Sequence, residues 1–275
     1  MKINLDGVEF GYSSALVLED ICLDIEGTQL VSIIGPNGVG KSTLIHCMNK
    51  ILSPTKGVVC INDTNVSDIT LKDLSKQMGY VPYSARNAFP LSVVDTVLMG
   101  RHPHSAWKTT ERDIDIVYET LNVLGIEHLA MRPFNQLSAG QHQKVMLARG
   151  IAQEPRILLL DEPTSNLDIK HQMDVTRLLR DLSRSKDMLV VMISHDLNIA
   201  STYSDNIVMM HEGRIFAVGA PSKVIVEGNL RTVYGVESRI TSERGRPHII
   251  LLDTELDLEN SSPENSHVFT RNNVC

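Results

Sequence analysis

Gly35-Pro36-Asn37-Gly38-Val39-Gly40-Lys41-Ser42 fits the pattern G-x-x-x-x-G-K-[ST] without a mismatch. Glycines at this spacing let successive backbone N–H groups turn inward around oxyanions. A helix opening at Lys41 adds positive potential at its N-terminus. Lys41 can reach β- and γ-phosphates, and Ser42 can ligate Mg2+. The loop points to a nucleoside triphosphate and does not choose ATP over GTP. Further along, the apolar run Ile157 to Leu160 ends in Asp161-Glu162. Two carboxylates there are costly unless a cation or hydrogen bonds compensate. Asp161 suits holding Mg2+ or its water. Glu162 suits accepting a proton from the attacking water, or orienting it. His195 closes a second apolar run, after Ser194, and can contact the γ-phosphate or hold the water. Each group also has a plainer reading: a glycine turn, a helix-capping acidic turn, a structural histidine. Their order along one chain favours phosphate chemistry.

The elements around these residues follow from hydrophobic periodicity. Leu30 to Ile34 is a compact apolar strand that leads into the glycine loop, and a helix is predicted from Lys41 to about Leu52. Ile3 to Phe10 reads as two short strands or one bulged strand, because Asp6-Gly7 interrupts it. Ile21, Leu23 and Ile25 alternate on one face of an antiparallel strand. Val58 to Ile61 is a strand, Leu71 to Gln77 a helix, and Gly79 to Pro82 a strand ending at its proline. Between about residues 85 and 136 the α/β rhythm stops. Helices at Val93 to Met99 and Glu111 to Leu124 mark a helical subdomain there, with no strand. The rhythm returns with a helix at Gln141 to Ile151 and the strand Ile157 to Leu160. A helix at Lys170 to Ser183, a strand at Leu189 to Ile193, a helix at Leu197 to Tyr203 and a strand at Asn206 to Met210 follow. Gly213 closes a hairpin to Ile215-Val218, and Pro221 to Val226 forms a short helix. Strands covered on both faces are apolar at every position, as Ile157 to Leu160 is.

Composition sets limits on the alternatives. The 275 residues are 42% hydrophobic and 21% charged, ordinary for a globular chain. Lys plus Arg number 26 against 33 Asp plus Glu, a net charge of −7, which argues against a nucleic-acid partner. Aromatics at 4% are too few for an extended base-stacking platform. Cys22, Cys47, Cys60 and Cys275 form no C-x-x-C pair or regular framework, and read as reduced thiols in a cytosolic protein. Lys2, Asp6 and Glu9 make the start unlike a signal peptide. No apolar run approaches the roughly 20 residues of a membrane span.

Leu137-Ser138-Ala139-Gly140-Gln141, with the phosphate loop, Asp161-Glu162 and His195, resembles the ATP-binding cassette (ABC) ATPases over about residues 2 to 240. More narrowly, Gly100-Arg101-His102-Pro103-His104 and Thr164 to Gln172 resemble the ATPase subunits of importers for iron–siderophore, haem and vitamin B12. The resemblance implies an α/β fold, with a P-loop NTPase core, an N-terminal antiparallel β subdomain and the inserted helical subdomain. The ATPase domain then covers residues 1–240 and a C-terminal extension covers 241–275. In that extension, the stretch from about Thr241 to Leu258 reads as a small strand and helix or a partner contact. Ser261 to Cys275 reads as a poorly ordered tail.

The same resemblance implies two cassettes pairing head to tail, with each ATP between the phosphate loop of one and the signature motif of the other. Gly35, Pro36, Asn37, Gly38, Val39, Gly40, Lys41, Ser42 and Thr43 would hold ATP, and Tyr12 would stack on the adenine. Without the resemblance Tyr12 reads as a turn or edge residue. Ser138, Gly140 and Gln141 would face the γ-phosphate held by the partner's Lys41. Glu162, His195 and Lys41 would carry catalysis, Ser42, Asp161 and Tyr83 the metal, and Asp168 would couple the two sites. Two positions depart from the family pattern. Ala139 replaces the third signature glycine, a single added methyl. Tyr83 follows Tyr80-Val81-Pro82 where the family has a glutamine that touches Mg2+ or water. A phenol with a pKa of about 10 is a poor Mg2+ ligand while protonated, so either Tyr83 acts through water, a nearby residue substitutes, or coupling is altered. The expected role is hydrolysis of ATP at the cytoplasmic face of the cell membrane, driving import of a metal chelate. A separate membrane permease dimer would dock near the helical subdomain and residues Tyr83 to Pro90, fed by an extracytoplasmic binding protein. The competing readings are a non-transport ABC ATPase acting on nucleic acid or protein, and a non-enzymatic nucleotide switch.

Overall fold

The computed structural model describes residues 1–13, 15–83, 91–104 and 108–252. Trp107, residues 84–90 of the expected docking segment and the tail from residue 253 lie outside the described residues.

β1 (Lys2–Tyr12) and β2 (Ala15–Glu26) pair antiparallel. Asp6-Gly7 does not split β1. The strand is continuous and shifts register between Leu5 and Val8, so the bulged alternative is the observed one. β3 (Leu30–Ile34) leads into the glycine loop and α1 (Lys41–Met48). The helix stops short of the predicted Leu52. Asn49 caps it, and Lys50 turns to φ 61°, with its ammonium donating to the Ser67 and Ile69 carbonyls at 2.8 and 2.7 Å. β4 (Lys56–Ile61) and β5 (Thr64–Asn65) complete an antiparallel sheet in the order β2-β1-β4-β5.

α2 (Leu71–Gln77) then feeds β6 (Met78–Val81), which ends before Pro82 because proline cannot donate to the ladder. The helical subdomain follows, with α3 (Val93–Leu98), α4 (Glu111–Val123) and α5 (Ala139–Ala152). An isolated antiparallel bridge joins Ser92 to Pro133, a small departure from the strand-free expectation. After α5 come β7 (Ile157–Leu160), α6 (Ile169–Ser185), β8 (Leu189–Ile193), α7 (Leu197–Tyr203), β9 (Asn206–His211) and β10 (Arg214–Gly219). The chain ends its described course in α8 (Pro221–Val224), α9 (Glu227–Tyr234), β11 (Glu237–Glu243) and β12 (Arg246–Leu252). The last two strands form an antiparallel hairpin, in a stretch the sequence left as a small strand and helix or a partner contact. β11 crosses residue 240, and β12 carries buried Ile249 into the body of the protein.

The second sheet has the order β10-β9-β3-β8-β7-β6 and is parallel except for β10. Both faces are covered. Ile157 and Leu159 of β7 enter the core shared with α1 and the antiparallel sheet, whereas Leu158 and Leu160 enter the core shared with the helical subdomain. Each such side chain contributes about 2 kcal/mol on leaving water. This two-sided burial fixes the strand ends, which is where open α/β sheets gather ligands.

Candidate functional site

The carboxyl ends of β3, β7 and β8 bring together the phosphate loop, Asp161-Glu162 and His195. Gly35 has φ 150°, and a Cβ there would lie 2.5 Å from the Met210 carbonyl oxygen, so the loop approaches β9 too closely for a side chain. Gly40, at φ 101°, opens α1 in a left-handed conformation. Lys41 is buried beneath the loop, and its ammonium donates to the carbonyls of Gly35 and Pro36 at 2.8 and 2.7 Å. Burial lowers the Lys41 pKa, while the nearby charges of Glu162 and Asp161 oppose that shift. Asn37 and Gly38 are exposed at the loop's tip, whereas Val39 and Thr43 are buried.

Ser42 donates its hydroxyl to Asp161 Oδ1 at 3.0 Å, joining the first turn of α1 to the end of β7. The Asp161 N–H donates to the Val81 carbonyl at 2.9 Å, which locks β7 against β6. Burial raises the Asp161 pKa, and the Ser42 hydroxyl opposes the rise. A buried carboxylate beside a hydroxyl is a hard oxygen pair suited to a divalent cation, whose charge would offset the burial. One turn beyond Ser42, His46 Nε2 lies 2.8 Å from the Tyr80 hydroxyl. Burial, and then the Asp161 charge, push the Tyr80 phenol above its ordinary range. The sequence reading missed this pair, although Ser42 and His46 stand at i, i+4 and so share a helix face.

Glu162, two residues past the end of β7, has φ 51°, a left-handed backbone conformation. Its Oε1 lies 2.5 Å from Nε2 of His195. Asp196, directly after His195, caps α7 by accepting from the Ile199 N–H at 2.8 Å. A cleft of about 460 Å³ opens beside the pair, lined by Glu162, Thr164, Ser165, Gln172, Ile193, His195 and Asp196. Gln172 donates to the Thr164 and Leu167 carbonyls and holds the loop that leads to Asp168.

The remaining predicted site residues lie on the surface or in separate loops. Tyr12 is exposed, with its ring edge-on to Phe10 at 5.0 Å between centroids. Tyr83 is exposed just past β6. Ser138 caps α5 in a reciprocal box: the Gln141 N–H donates to the Ser138 hydroxyl, and the Ser138 N–H donates to Gln141 Oε1 at 3.0 Å. The ladder of α5 begins with the His142 N–H bonded to the Ser138 carbonyl, so the N–H groups of Ala139 and Gly140 precede it. A Cβ on Gly140 would lie 3.2 Å from Leu167, which places the signature turn against the loop before Asp168. Asp168 caps α6, accepting from the His171 N–H at 2.9 Å and meeting the His171 ring at 2.8 Å.

Within the helical subdomain, Gly100 and Arg101 have structural work. A Cβ on Gly100 would lie 2.3 Å from the Arg149 carbonyl oxygen. Buried Arg101 donates to Asp113 Oδ1 at 2.9 Å, to the Ala152 carbonyl at 2.7 Å and to Glu154 Oε2 at 2.9 Å, tying α4 to the end of α5.

The ABC transporter family profile matches residues 18–165, more than half of the chain. The chain belongs to the ABC transporter family. It is an ABC-type ATPase cassette, which resolves the choice the phosphate loop leaves open in favour of ATP. It is 43% identical over 250 residues to an uncharacterised ABC transporter ATP-binding protein of Methanocaldococcus jannaschii, covering 91% of this chain and 98% of that one. It is 34% identical to the ferric enterobactin transport ATP-binding protein FepC of Escherichia coli, covering 91% of this chain and 94% of FepC. Among solved structures, one described as a metal-chelate type ABC transporter in an inward-facing conformation superposes with a TM-score of 0.79. It has 28% identity and covers 92% of this cassette and 98% of that chain. The P-loop core, antiparallel β subdomain and inserted helices are therefore the fold of the ABC cassette. Among the described residues no helix is long and apolar enough to cross a membrane.

Proposed function

We propose that this cassette hydrolyses ATP to drive import of a metal chelate, of the iron–siderophore, haem or cobalamin type, through a separate membrane permease. The observation that carries the hydrolytic half is the convergence of Lys41, Ser42–Asp161 and Glu162–His195 on adjacent strand ends. The similarity to FepC and to the metal-chelate transporter supports the cargo class. The cassette works as a head-to-tail pair at the cytoplasmic face of the membrane, and an extracytoplasmic binding protein delivers the cargo to the permease.

In this reading the phosphate loop residues and Thr43 hold the triphosphate, and Tyr12 presents its exposed ring to the adenine. Lys41 leaves its loop carbonyls for the phosphate oxygens, a stronger charged partner. Ser42 and Asp161 hold Mg2+, which neutralises developing phosphate charge when bound. Glu162 orients the attacking water and accepts its proton. His195 holds Glu162 and reaches the γ-phosphate. Ser138, Gly140 and Gln141, at the opening of α5, meet the γ-phosphate bound by the partner cassette, where first-turn N–H groups favour an anion. Asp168 couples the two sites, because the loop it terminates touches the signature turn. Tyr83 acts on the ion through water, and its exposed position beside the helical subdomain faces the permease. ATP binding closes the pair and hydrolysis reopens it, a ligand-biased two-state change.

The test is affinity purification from native membranes in gentle detergent, with identification of the co-purifying chains. A stoichiometric multi-spanning permease supports import, and its associated binding protein then identifies the cargo. Recovery with ribosomes or nucleic acid and no permease overturns the transport reading and leaves the ATPase.

A further inference from the structure

Asn198, Ser201 and Ser204 recur at a spacing of three, which sets them along one side of α7 and its cap. All three are bonded to β12. The Ile249 N–H donates to Asn198 Oδ1 at 2.8 Å, and Asn198 Nδ2 donates back to the Ile249 carbonyl at 3.2 Å. The Ser201 hydroxyl donates to the Pro247 carbonyl at 2.6 Å. The Arg246 guanidinium donates to the Ser204 carbonyl at 2.6 Å. The order is regular: residues 246, 247 and 249 meet 204, 201 and 198, so β12 runs against the direction of α7. Asn198 satisfies both peptide groups of Ile249, as a neighbouring strand would. Ile249 also packs in an apolar cluster with Ala200 of α7 and Ile34 at the end of β3.

α7 has seven residues. A helix that short is marginal on its own, so tertiary contacts set its direction. His195 enters this helix one residue before its cap. Its side chain is 41% exposed, and it meets Glu162 across the cleft at 2.5 Å. Ile199 and Tyr203 anchor one side of α7 in the core shared with the helical subdomain, and β12 holds the side that carries Asn198 and Ser201, so loss of that hold lets the helix turn and moves the imidazole relative to the carboxylate. The same C-terminal unit reaches the phosphate-loop side of the site, where Tyr234 packs against the apolar cluster that contains Ile34 at the end of β3.

We infer that the β11–β12 hairpin is a clamp on α7 that holds His195 in register with Glu162, and that Asn198 is a positioning residue for hydrolysis. This rests on the reading of His195 given above. It makes the C-terminal extension part of the hydrolytic apparatus, acting through a histidine it does not touch. Small misplacements at a reacting centre are costly: an error of about 1 Å can lower a rate on the order of 100-fold.

The experiment compares Asn198→Ala, His195→Ala and the double variant in the full-length protein. It measures kcat and KM, single-turnover hydrolysis, binding of a fluorescent trinitrophenyl-ATP, and melting temperature. Asn198→Ala is expected to lower kcat about fivefold to tenfold, with nucleotide affinity changed less than twofold. In the His195→Ala background the same substitution is expected to cost nothing further. An equal fold-loss in both backgrounds, or full kcat in folded Asn198→Ala, overturns the clamp. Should Asn198→Ala fail to fold, Ser201→Ala decides. It removes one bond, and a twofold to threefold kcat loss that vanishes without His195 supports the clamp, whereas unchanged kcat overturns it. Wild-type turnover in His195→Ala alone overturns the underlying reading of His195. A severe loss there beside an ordinary Asn198→Ala overturns the clamp only.

Discussion

Glu162 and His195 end adjacent parallel strands, and their side chains meet with Oε1 2.5 Å from Nε2. The Glu162 carboxylate stands on a left-handed backbone, two residues past the end of β7. Replacing it with an amide keeps the shape and removes the proton acceptor. Glu162→Gln is expected to bind ATP normally and to hydrolyse it at least about 100-fold more slowly, the scale of a positioned general base. Near-wild-type turnover in a steady-state phosphate-release assay rejects the assignment of Glu162.

Groups that act as a unit give non-additive losses. His195→Ala should also reduce turnover by about 100-fold, and the double variant with Glu162→Gln should be scarcely slower than Glu162→Gln alone. Single-turnover hydrolysis of radiolabelled ATP measures both losses. Multiplied losses would mean that the two residues serve separate steps.

Asp161 is buried, and its pKa is raised by that burial against the opposing Ser42 hydrogen bond. A cation bound there would relieve this cost. Asp161→Asn should therefore raise the Mg2+ concentration for half-maximal hydrolysis by about tenfold or more, and excess chelator should abolish wild-type activity. A magnesium titration at saturating ATP reads the shift. An unchanged midpoint removes Asp161 from the metal site.

Tyr83 stands exposed just past β6, where the family resemblance implies a glutamine. Tyr83→Gln restores an amide that can contact the ion, so hydrolysis should be retained or raised. A tenfold fall in kcat at unchanged ATP affinity would show that the phenol itself is needed.

Asp113 accepts from Arg101 and from the Thr110 N–H and hydroxyl, and these bonds hold its pKa at about 2. A depressed folded-state pKa stabilises the protein above the unfolded value of roughly 4, and that contribution fades as pH falls through the folded value. Asp113→Asn should cost about 2 kcal/mol at pH 7, the scale of bonds to a charged group. Urea midpoints of the two proteins should converge between about pH 4 and pH 2. A gap that stays constant with pH means the loss is packing alone.

Much of the site was readable from residue order. The phosphate loop declares itself because a glycine turn, a lysine and a hydroxyl must be contiguous to wrap phosphates. Asp161-Glu162 and His195 stand out because charged groups directly after fully apolar strands need a reason to be there. The fold followed from the same source: β3, β7, β8, α2 and α7 have the predicted bounds, and for β3, β7, β8 and α7 the apolar pattern ends abruptly at a polar or glycine position. The end of α1 was misjudged because Lys50 adopts a left-handed turn, held by carbonyls from a segment about 17 residues away. α9 was overlooked, although Leu230, Val233 and Tyr234 share a helical face and Gly235 stops it.

By itself, the amino-acid order determined that the chain binds a nucleoside triphosphate on a strand–loop–helix and carries acidic and histidine groups at later strand ends. Those are local properties, written in neighbouring residues. The tertiary structure alone decided that Glu162 meets His195, that Ser42 meets Asp161 across 119 residues, and that β12 grips the helix behind His195. Strand order β3-β8-β7 and the packing of a hairpin on a seven-residue helix arise from burial on both faces of one sheet. Such contacts join residues whose separation along the chain carries no trace of their distance in space.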